Sequence, residues 1–354
     1  MILKKKELIL TFITGIIFIS YILGFIFREN HGAAETDALA HTWPAIEMFG
    51  AGTFFYTLKN YYIFGENSFP LHHILYGKIL NISEVNILIF LSFLVSLIIP
   101  FIFFYILKIR YKNLDNKHLI LFSSLLLISP YFRGSAFWCL TENTGYLFLI
   151  LSIFFYIKYL KIKNYSNIFY ITLFGSLALY SRMQLIFFLI FFTLSIFVEK
   201  KYSKLFILFC YLFLFSIPGL YLIFLWGGLI LSDTGEGSGL YYFINFRSVP
   251  NTSLVILSLI TFYLLPFFAI NNYQVITKKI IFNFFKKFII LLLFVSLIYI
   301  IFKVDILYLS ENTLGVYGQG FLVDVLYRIT GKEYFFLPFS ALGLLIILDY
   351  INID

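Results

Sequence analysis

Apolar runs long enough to cross a bilayer recur from one end of this chain to the other. The first is LILTFITGIIFISYILGFIF, residues 8–27, which matches the roughly 20 residues that a helix needs to cross the hydrocarbon core. The apolar residues in these runs are continuous and do not alternate with polar ones, so the runs predict helices and not barrel strands. Hydrophobic residues make up 61% of the 354 residues, more than a soluble core absorbs. The sequence therefore predicts an all-α, polytopic transmembrane helical bundle.

The apolar runs predict about ten spans within a single integral membrane domain that covers residues 1–354. The first run has no small-residue cleavage site behind it, so we interpret it as a retained helix and not as a signal peptide. The predicted spans between 118 and 198 are short enough that one of them is compatible with a re-entrant segment. The predicted spans are 7–27, 84–107, 118–130, 146–160, 167–181, 183–198, 205–230, 253–270, 288–302 and 336–350.

Basic residues define the predicted orientation. With the amino terminus inside, 17 of the 26 Lys and Arg residues fall in short segments on one side. This is the positive-inside pattern, which places those segments in the cytoplasm. We therefore interpret the net charge of +8 as a topology signal, and we expect the lipid bilayer and no nucleic acid as a partner. The bias towards Ile, Phe, Lys and Asn is typical of an AT-rich bacterial genome and favours the bacterial inner (plasma) membrane.

The opposite side is predicted to carry longer loops, most of the acidic residues and four of the five histidines. Its first outer loop, 28–83, is too apolar for a free linker, and its last outer loop spans 303–335. Varied polar loops carry function more often than short basic ones, so we expect an extracytoplasmic active face. The first outer loop predicts interfacial amphipathic helices, with four aromatic residues at headgroup depth. These are Trp43, Tyr56, Tyr61 and Tyr62.

The stretch ETDALAHTWP, residues 35–44, places two carboxylates and a histidine just after the first predicted span. One interpretation is structural, because Glu35 and Asp37 would complement the dipole of a helix that begins at Ala38. The other is catalytic, because a carboxylate near the membrane surface can take a proton from a hydroxyl group. The two interpretations are compatible, and His41 is a candidate for contacting the same substrate.

Two neighbouring histidines, His72 and His73, follow Pro70 ahead of the second predicted span. Adjacent residues on a helix point about 100° apart, so the two imidazoles cannot both face one ligand. We expect one of them, with His72 as the candidate, to contact an anionic or hydroxylated ligand and the other to lie at the interface. Cys139 and Cys210 are far apart and predict neither a disulfide nor a metal site. The sequence therefore predicts no metal or other cofactor.

Ionisable residues interrupt the apolar stretch SPYFRGSAFWCLTENTGYLFLI, residues 129–150, at Arg133 and Glu142, and Asn143 follows directly. Charged groups at membrane depth are costly, so they usually face a cavity or a partner. Two interpretations follow. Arg133 and Glu142 either form a structural ion pair with each other or bind a substrate together with Asn143.

Further arginines fall on the predicted outer side, where the topology rule gives no reason for them. Arg182 and Gln184 lie in a tight turn between two short spans. An arginine there can extend its charge to the headgroups, but it is also suited to bind a phosphate by two parallel hydrogen bonds. Arg247 and Arg328 are further candidates for binding substrate. The spacing of Arg328 from Asp324 also fits a plain helical surface pair.

In chain order these segments resemble the GT-C class of multi-span glycosyltransferases, in particular the dolichyl-phosphate-glucose glucosyltransferases. Members carry an Asp followed four residues later by a His in the first outer loop, which DALAH matches with Asp37 and His41. SFPLHHIL resembles their proline element before the second span. LTENTGYLF resembles an element that opens a later span, and YSRMQLI, with Arg182, resembles an FRQTN element. The resemblance implies a GT-C-like helical fold.

The resemblance also implies an activity. A sugar would pass from a polyprenyl-phosphate-linked donor to a lipid-linked or surface glycan acceptor, with inversion at the anomeric carbon. Asp37 would be the catalytic base with Glu35 in reserve, and Arg182 would bind the phosphate with help from Arg133 or Arg247. The leaving group is a phosphate monoester, so no metal is required. The other residues expected to bind substrate are His41, His72, Glu142, Asn143, Gln184 and Arg328.

Two other functions fit a many-span protein with large outer loops. One is an O-antigen or capsular polysaccharide polymerase that joins diphosphate-linked repeat units. The other is a transporter or flippase for a lipid-linked saccharide, which is expected to have broken helices, charges at the midplane and two related halves. The sequence shows no internal repeat, and its charges gather at one interface. Both features favour the enzyme over the transporter, and a scaffold protein would not need this acidic, histidine-rich face.

Overall fold

A computed structural model of the protein shows helices and turns, with no strand, in the part of the chain that it describes. The all-α prediction is therefore confirmed for that part. The chain divides into two compact units, Met1–Gly237 and Ser238–Asp354. The single membrane domain remains a prediction. The described residues are 2–30, 34–61, 69–82, 84–200, 202–226, 248–272, 278–302, 325–326 and 329–351.

The first unit contains twelve α-helices in its described residues, with wider π turns at Ala38–Thr42 and Ile74–Ile79 and tighter 3₁₀ turns at Leu125–Ile128 and Met183–Leu185. The helices are α1 (Ile2–Ile26), α2 (Ala34–Asp37), α3 (Trp43–Ala51), α4 (Phe54–Asn60), α5 (Leu71–His73), α6 (Val85–Arg110), α7 (Asn116–Ser124), α8 (Pro130–Trp138), α9 (Thr141–Lys161), α10 (Tyr165–Ser181), α11 (Ile186–Val198) and α12 (Tyr202–Trp226).

Five helices in the described residues are long and apolar enough to cross a membrane, which fits a lipid bilayer environment. Several of their large apolar side chains, such as Phe12 and Phe101, are exposed on the protein surface, where lipid would cover them. A sixth span is present if the bent pair α7–α8 counts as one. The five are Leu8–Ile26, Val85–Arg110, Thr141–Lys161, Tyr202–Trp226 and Phe284–Ile301.

The predicted span 118–130 ends at a bend. The helical segments Asn116–Ile128 and Pro130–Trp138 meet at 68°. The cause is local, because Pro130 excludes the helical conformation at Ser129, whose ψ is 121°, and then begins α8 as its first residue. The predicted spans 167–181 and 183–198 correspond to α10 and α11, which have 17 and 13 residues. A topology of ten spans therefore remains a prediction.

Aromatic packing holds α1, α6 and α8 together. Tyr21 of α1 is fully buried and stacks on Phe93 of α6, with ring centroids 5.5 Å apart. On its other side Tyr21 meets Phe137 of α8 at 5.0 Å, and its hydroxyl is hydrogen-bonded to Ser96. A buried tyrosine needs such a partner for its hydroxyl, and Ser96 provides it inside the bundle.

The described residues of the 28–83 segment form short helices that pack on the helical bundle, and their interfacial position remains a prediction. Ala45, Ile46 and Phe49 on one face of α3 are buried. Tyr61, which we expected at headgroup depth, is also fully buried, so its ring does not face lipid. Its depth in the membrane remains a prediction, and Tyr62 lies outside the described residues. Tyr56 is 62% exposed and remains compatible with an interfacial position. Much of this segment therefore packs on protein and not on lipid.

The second unit contains α13 (Ser248–Asn272), α14 (Lys278–Ile301), a 3₁₀ turn at Glu333–Phe336 and α15 (Leu337–Ile351). Small residues bring α13 and α15 into close contact. The Ser340 hydroxyl donates to the Leu254 carbonyl at 2.7 Å. A Cβ on Gly343 would lie 2.0 Å from the Leu257 carbonyl oxygen. This spacing of small residues is typical of helix pairs in membranes.

A glycine also allows close contact between two parts of the first outer loop, the Ile74–Ile79 π turn and α3. A Cβ added at Gly77 would lie 2.2 Å from the Ile46 carbonyl oxygen, so the π turn and α3 touch through their backbones. We expect Gly77→Ala to lower the free energy of unfolding by about 1–3 kcal/mol, because the backbone must move to fit the methyl group. Thermal unfolding in detergent measures the change.

Gly15→Ala is the matched control for Gly77→Ala. A Cβ at Gly15 in α1 would meet nothing within 4 Å. Alanine is the better helix former by about 1 kcal/mol, so this variant should keep or raise the melting temperature. If Gly77→Ala melted at the wild-type temperature, the close backbone contact would be disproved.

Candidate functional site

A cavity of about 360 Å³ opens where α2, α8, α9 and the turn after α10 converge. It brings together four of the residues that the sequence singles out, although they are far apart along the chain. These are Asp37, Glu142, Arg182 and Gln184. The rest of its wall consists of Ala34, Tyr131, Gly134, Ser135, Leu140, Tyr146 and Leu185. Two carboxylates, a guanidinium and an amide thus share one concave surface with two tyrosines.

The corner between α8 and α9 places Glu142 on this wall. Cys139 ends α8 in the left-handed conformation, with φ of 55°, and α9 begins two residues later. The backbone N–H of Asn143 in the first turn of α9 donates to the Ser135 hydroxyl at 3.1 Å. Glu142 lies in the same first turn, where the helix dipole favours a negative charge. The corner therefore presents the carboxylate of Glu142 at a helix amino terminus.

Arg182 reaches Glu142 from the turn between α10 and α11. One guanidinium nitrogen lies 2.7 Å from Glu142 Oε1, and Nη1 donates to Thr141 Oγ1 at 3.5 Å. Gly145 permits this approach, because a Cβ there would lie 3.3 Å from the Arg182 Cβ and 3.0 Å from Leu185. The Arg182 side chain is 35% exposed, so the ion pair lies at the cavity surface and is not sealed inside the protein.

The second carboxylate oxygen of Glu142, Oε2, is shielded from solvent and has no hydrogen-bond partner in the described part of the chain. A buried acceptor without a donor is costly, so such atoms often mark sites that a ligand completes. Arg182 has five N–H donors, and its described contacts are made through Nη1 and Nη2. Arg182 can therefore donate to an anion at the cavity surface while Glu142 Oε1 holds it in place.

The two carboxylates of the ETDALAH stretch lie in different places. Asp37 is exposed at the end of α2 and lines the cavity, whereas Glu35 lies beside Asn30. The Glu35 backbone N–H donates to Asn30 Oδ1, and the Asn30 amide donates to Glu35 Oε2, both at 3.1 Å. His41 is exposed in the π turn that follows, outside the cavity wall. Both carboxylates fall in the first turn of α2, which begins at Ala34 and not at Ala38 as the sequence predicted.

The two neighbouring histidines are fully buried, so the expectation that one lies at the interface is wrong. His72 Nδ1 lies 2.8 Å from the Thr144 hydroxyl and Nε2 lies 3.1 Å from the Cys139 carbonyl oxygen. His73 Nδ1 lies 2.8 Å from the Tyr61 hydroxyl. His72 thus links both sides of the α8–α9 corner, behind the cavity wall and not on it.

Tyr76 packs against the His72 ring, with centroids 4.7 Å apart. Burial raises the pKa of the Tyr76 hydroxyl, and the nearby Cys139 adds to this, while a hydrogen bond with Thr144 acts the other way. The hydroxyl therefore stays neutral and available as a donor. Together these side chains form a polar network that holds the corner from behind.

Arg133 makes its polar contacts with Ser20 of α1 and with Glu29, which follows α1. Its Nη2 lies 2.6 Å from Glu29 Oε2, and the guanidinium donates to the Ser20 hydroxyl at 3.0 Å and to the Ser20 carbonyl at 2.8 Å. Gly24 leaves the space for it, because a Cβ there would lie 2.2 Å from Nη2. The interpretation of an Arg133–Glu142 ion pair is therefore wrong. The two charges pair with Glu29 and Arg182 instead.

Asn143 is buried next to the cavity wall and donates from Nδ2 to the Phe132 carbonyl oxygen at 3.0 Å. It joins the start of α9 to α8. Arg247 and Arg328 lie outside the described residues. The sequence interpretation missed Tyr131 and Tyr146, which line the cavity. Tyr146 lies four residues after Glu142 on α9, a helical spacing that could have placed it on the same face.

The described residues contain no group of three or more His, Cys, Asp or Glu side chains placed to hold a metal ion. Comparisons of this chain with models of known protein families, with curated proteins and with solved structures find no match.

Arg133 and Arg182 are expected to contribute different amounts to the free energy of unfolding. Arg133 is buried with three polar contacts, so Arg133→Met should lower the free energy of unfolding by about 2 to 3 kcal/mol. Arg182 forms a partly exposed pair, so Arg182→Met should change it by less than about 1 kcal/mol. Thermal unfolding of both purified variants tests this. Equal losses would contradict the assignment of Arg133 to the framework and Arg182 to the cavity.

Proposed function

We propose that this protein is a membrane glycosyltransferase of GT-C type. It transfers a sugar from a polyprenyl-phosphate-linked donor to a lipid-linked or surface glycan acceptor on the extracytoplasmic face. The proposal includes the ten-span topology with a cytoplasmic amino terminus and a bacterial inner-membrane location. The observation that carries it is the cavity in which Asp37 shares one wall with the Glu142–Arg182 pair.

The transfer requires a base and an anion-stabilising group, and the cavity supplies both. Asp37 takes the proton from the acceptor hydroxyl while that oxygen bonds to the anomeric carbon. The bond between the anomeric carbon and the phosphate oxygen breaks, and the lipid phosphate leaves with the bonding electron pair. Arg182 donates hydrogen bonds to this phosphate as its negative charge grows. Attack opposite the leaving group inverts the anomeric configuration.

The remaining wall suits a sugar. Tyr131 and Tyr146 present aromatic surfaces with polar tips, and Gln184 presents both a donor and an acceptor. The Oε1 atom of Glu142 keeps Arg182 in place on this wall. Polar and apolar groups contribute about equally to the cavity wall, and convergent polar groups are what fix the orientation of a bound small molecule.

Asp37→Asn tests the base assignment. We expect kcat to fall about 10²–10⁴-fold with the melting temperature unchanged, because the amide keeps the shape of the side chain but cannot take the proton. Purified protein is assayed with a panel of polyprenyl-phosphate-linked hexoses and a lipid-linked oligosaccharide, and donor consumption is followed by mass spectrometry. Glu47→Gln, an exposed carboxylate on α3 outside the cavity wall, is the control and should keep full activity.

Glu35→Gln separates the two carboxylates of the ETDALAH stretch. Activity of Asp37→Asn within a few-fold of wild type, together with loss of activity in Glu35→Gln, would move the base to Glu35. If neither variant lost activity, a base in this stretch would be ruled out. Product length belongs to the same assay: a single added sugar fits the proposal, and a ladder of products would assign polymerisation instead.

Arg182→Gln tests the phosphate contact. We expect kcat/KM for the donor to fall at least about 10-fold, because a charge-assisted hydrogen bond to the leaving phosphate is lost. Arg28→Gln is the matched control, since Arg28 is exposed and its guanidinium bonds Asn86 at 2.7 Å away from the cavity wall. Unchanged donor kinetics in Arg182→Gln would reject Arg182 as the phosphate-binding group.

A further inference from the structure

A second cavity of about 380 Å³ lies between α10, α11 and α12, and its wall is almost entirely apolar. We call it the apolar groove. Ile190, Leu194 and Phe209 on its wall are each about half exposed, so the groove opens on the protein surface. Leu179, Leu212 and Phe215 line it further in. An apolar groove on a helix bundle of this composition offers a place for a hydrocarbon chain.

Five lysines gather where α9 and α11 end and α10 and α12 begin. We call Lys158, Lys161, Lys163, Lys200 and Lys204 the lysine cluster. All five are placed in the described structure, and Glu199 is the acidic residue among them. The cluster therefore keeps a net charge of about +4 at neutral pH, because one carboxylate offsets one of five ammonium groups.

Direct contacts join the two loops that carry the lysine cluster. Lys163 Nζ lies 2.9 Å from both carboxylate oxygens of Glu199, and Lys204 Nζ donates to the Lys163 carbonyl at 2.5 Å. The Lys204 ammonium also lies 5.3 Å from the centre of the buried Tyr159 ring. These contacts hold the α9–α10 and α11–α12 loops side by side. Lys158, Lys161 and Lys200 therefore lie on or beside loops that these contacts hold in place.

The apolar groove and the lysine cluster are close enough for one molecule to fill both. Leu194 precedes Glu199 by five residues on α11, and Phe209 follows Lys204 by five residues on α12. At 1.5 Å per residue each pair is separated by about 7.5 Å along the helix axis. A phosphate at the lysines can therefore be joined to a hydrocarbon chain in the groove.

We propose that α10, α11 and α12 form a binding site for an anionic phospholipid. The lipid phosphate contacts the lysine cluster and one acyl chain lies in the apolar groove. Charge complementarity decides the occupant, because five lysines with one carboxylate among them attract an anionic headgroup. A basic surface between membrane helices attracts anionic headgroups by about 1 kcal/mol for each basic residue. This inference does not depend on the proposed glycosyl transfer.

The test uses the purified full-length protein and dioctanoyl phosphatidylglycerol, with dioctanoyl phosphatidylcholine as the neutral comparison. Native mass spectrometry measures the bound lipid, and thermal unfolding confirms that each variant is folded. We expect the wild type to bind phosphatidylglycerol in preference to phosphatidylcholine. The triple variant K158Q/K161Q/K200Q should lose at least about 10-fold in affinity for phosphatidylglycerol, because three attractive charges are removed.

The matched control is K108Q/R110Q/K112Q, which also removes three positive charges, two from the last turn of α6 and one just after it. It should bind phosphatidylglycerol like the wild type. An equal loss in both triple variants would overturn the proposal, since any basic segment would then serve. No preference for phosphatidylglycerol in the wild type would overturn it as well.

A second variant tests the apolar half of the site. Ile190→Trp fills the apolar groove without touching the lysines, and it should weaken phosphatidylglycerol binding about as much as loss of the lysines does. Unchanged binding in a folded Ile190→Trp protein would show that the acyl chain does not lie in the apolar groove, and the proposed site would be rejected.

Discussion

The guanidinium of Arg133 is the contact on which the arrangement of the first unit depends. It carries a full charge in a mostly apolar bundle, and its two Nη atoms contact Glu29 and both oxygens of Ser20, whereas its buried Nε has no hydrogen-bond partner in the described residues. A charge at this depth is stable only with such partners, so the contact fixes the separation and register of α8 against α1. Gly24 is part of the same arrangement, because a larger residue would occupy the position of the guanidinium. The pairing of this charge therefore sets the backbone on which the cavity is built.

Two tryptophans extend this framework to the cavity. The Trp138 indole at the end of α8 donates to the Glu29 carbonyl at 3.0 Å, and the Trp43 indole donates to the Trp138 carbonyl at the same distance. Their rings stack with centroids 6.0 Å apart. The first contact holds the end of α1 and the second holds the segment that contains Asp37. Since Trp138 is followed at once by the corner that carries Glu142, one set of contacts positions both carboxylates of the cavity.

The sequence predicted helices of membrane-spanning length and the residue types of the site, because both follow from local composition. It also predicted four residues that the structure brings to one cavity. These are Asp37, Glu142, Arg182 and Gln184. It failed where the answer depended on which distant groups meet. Arg133 and Glu142 are nine residues apart and suggested a pair, but the corner at Cys139 turns them towards different helices. Burial of His72 was unpredictable for the same reason, since its partners come from 67 and 72 residues away.

The two proposed anion contacts, at the lysine cluster and at Arg182, lie at opposite ends of α10. Lys163 lies just before this helix and Arg182 directly after it, and a helix of 17 residues is about 25 Å long. One phosphate therefore cannot reach both. At the Arg182 end a single guanidinium is already balanced by Glu142, so an anion there competes with a carboxylate and must fit the cavity. At the lysine end most of the charge is unbalanced and the loops are braced, which suits a headgroup recognised mainly by charge. The lipid proposed at the lysine cluster and the substrate proposed in the cavity are thus different molecules, and the two proposals are compatible.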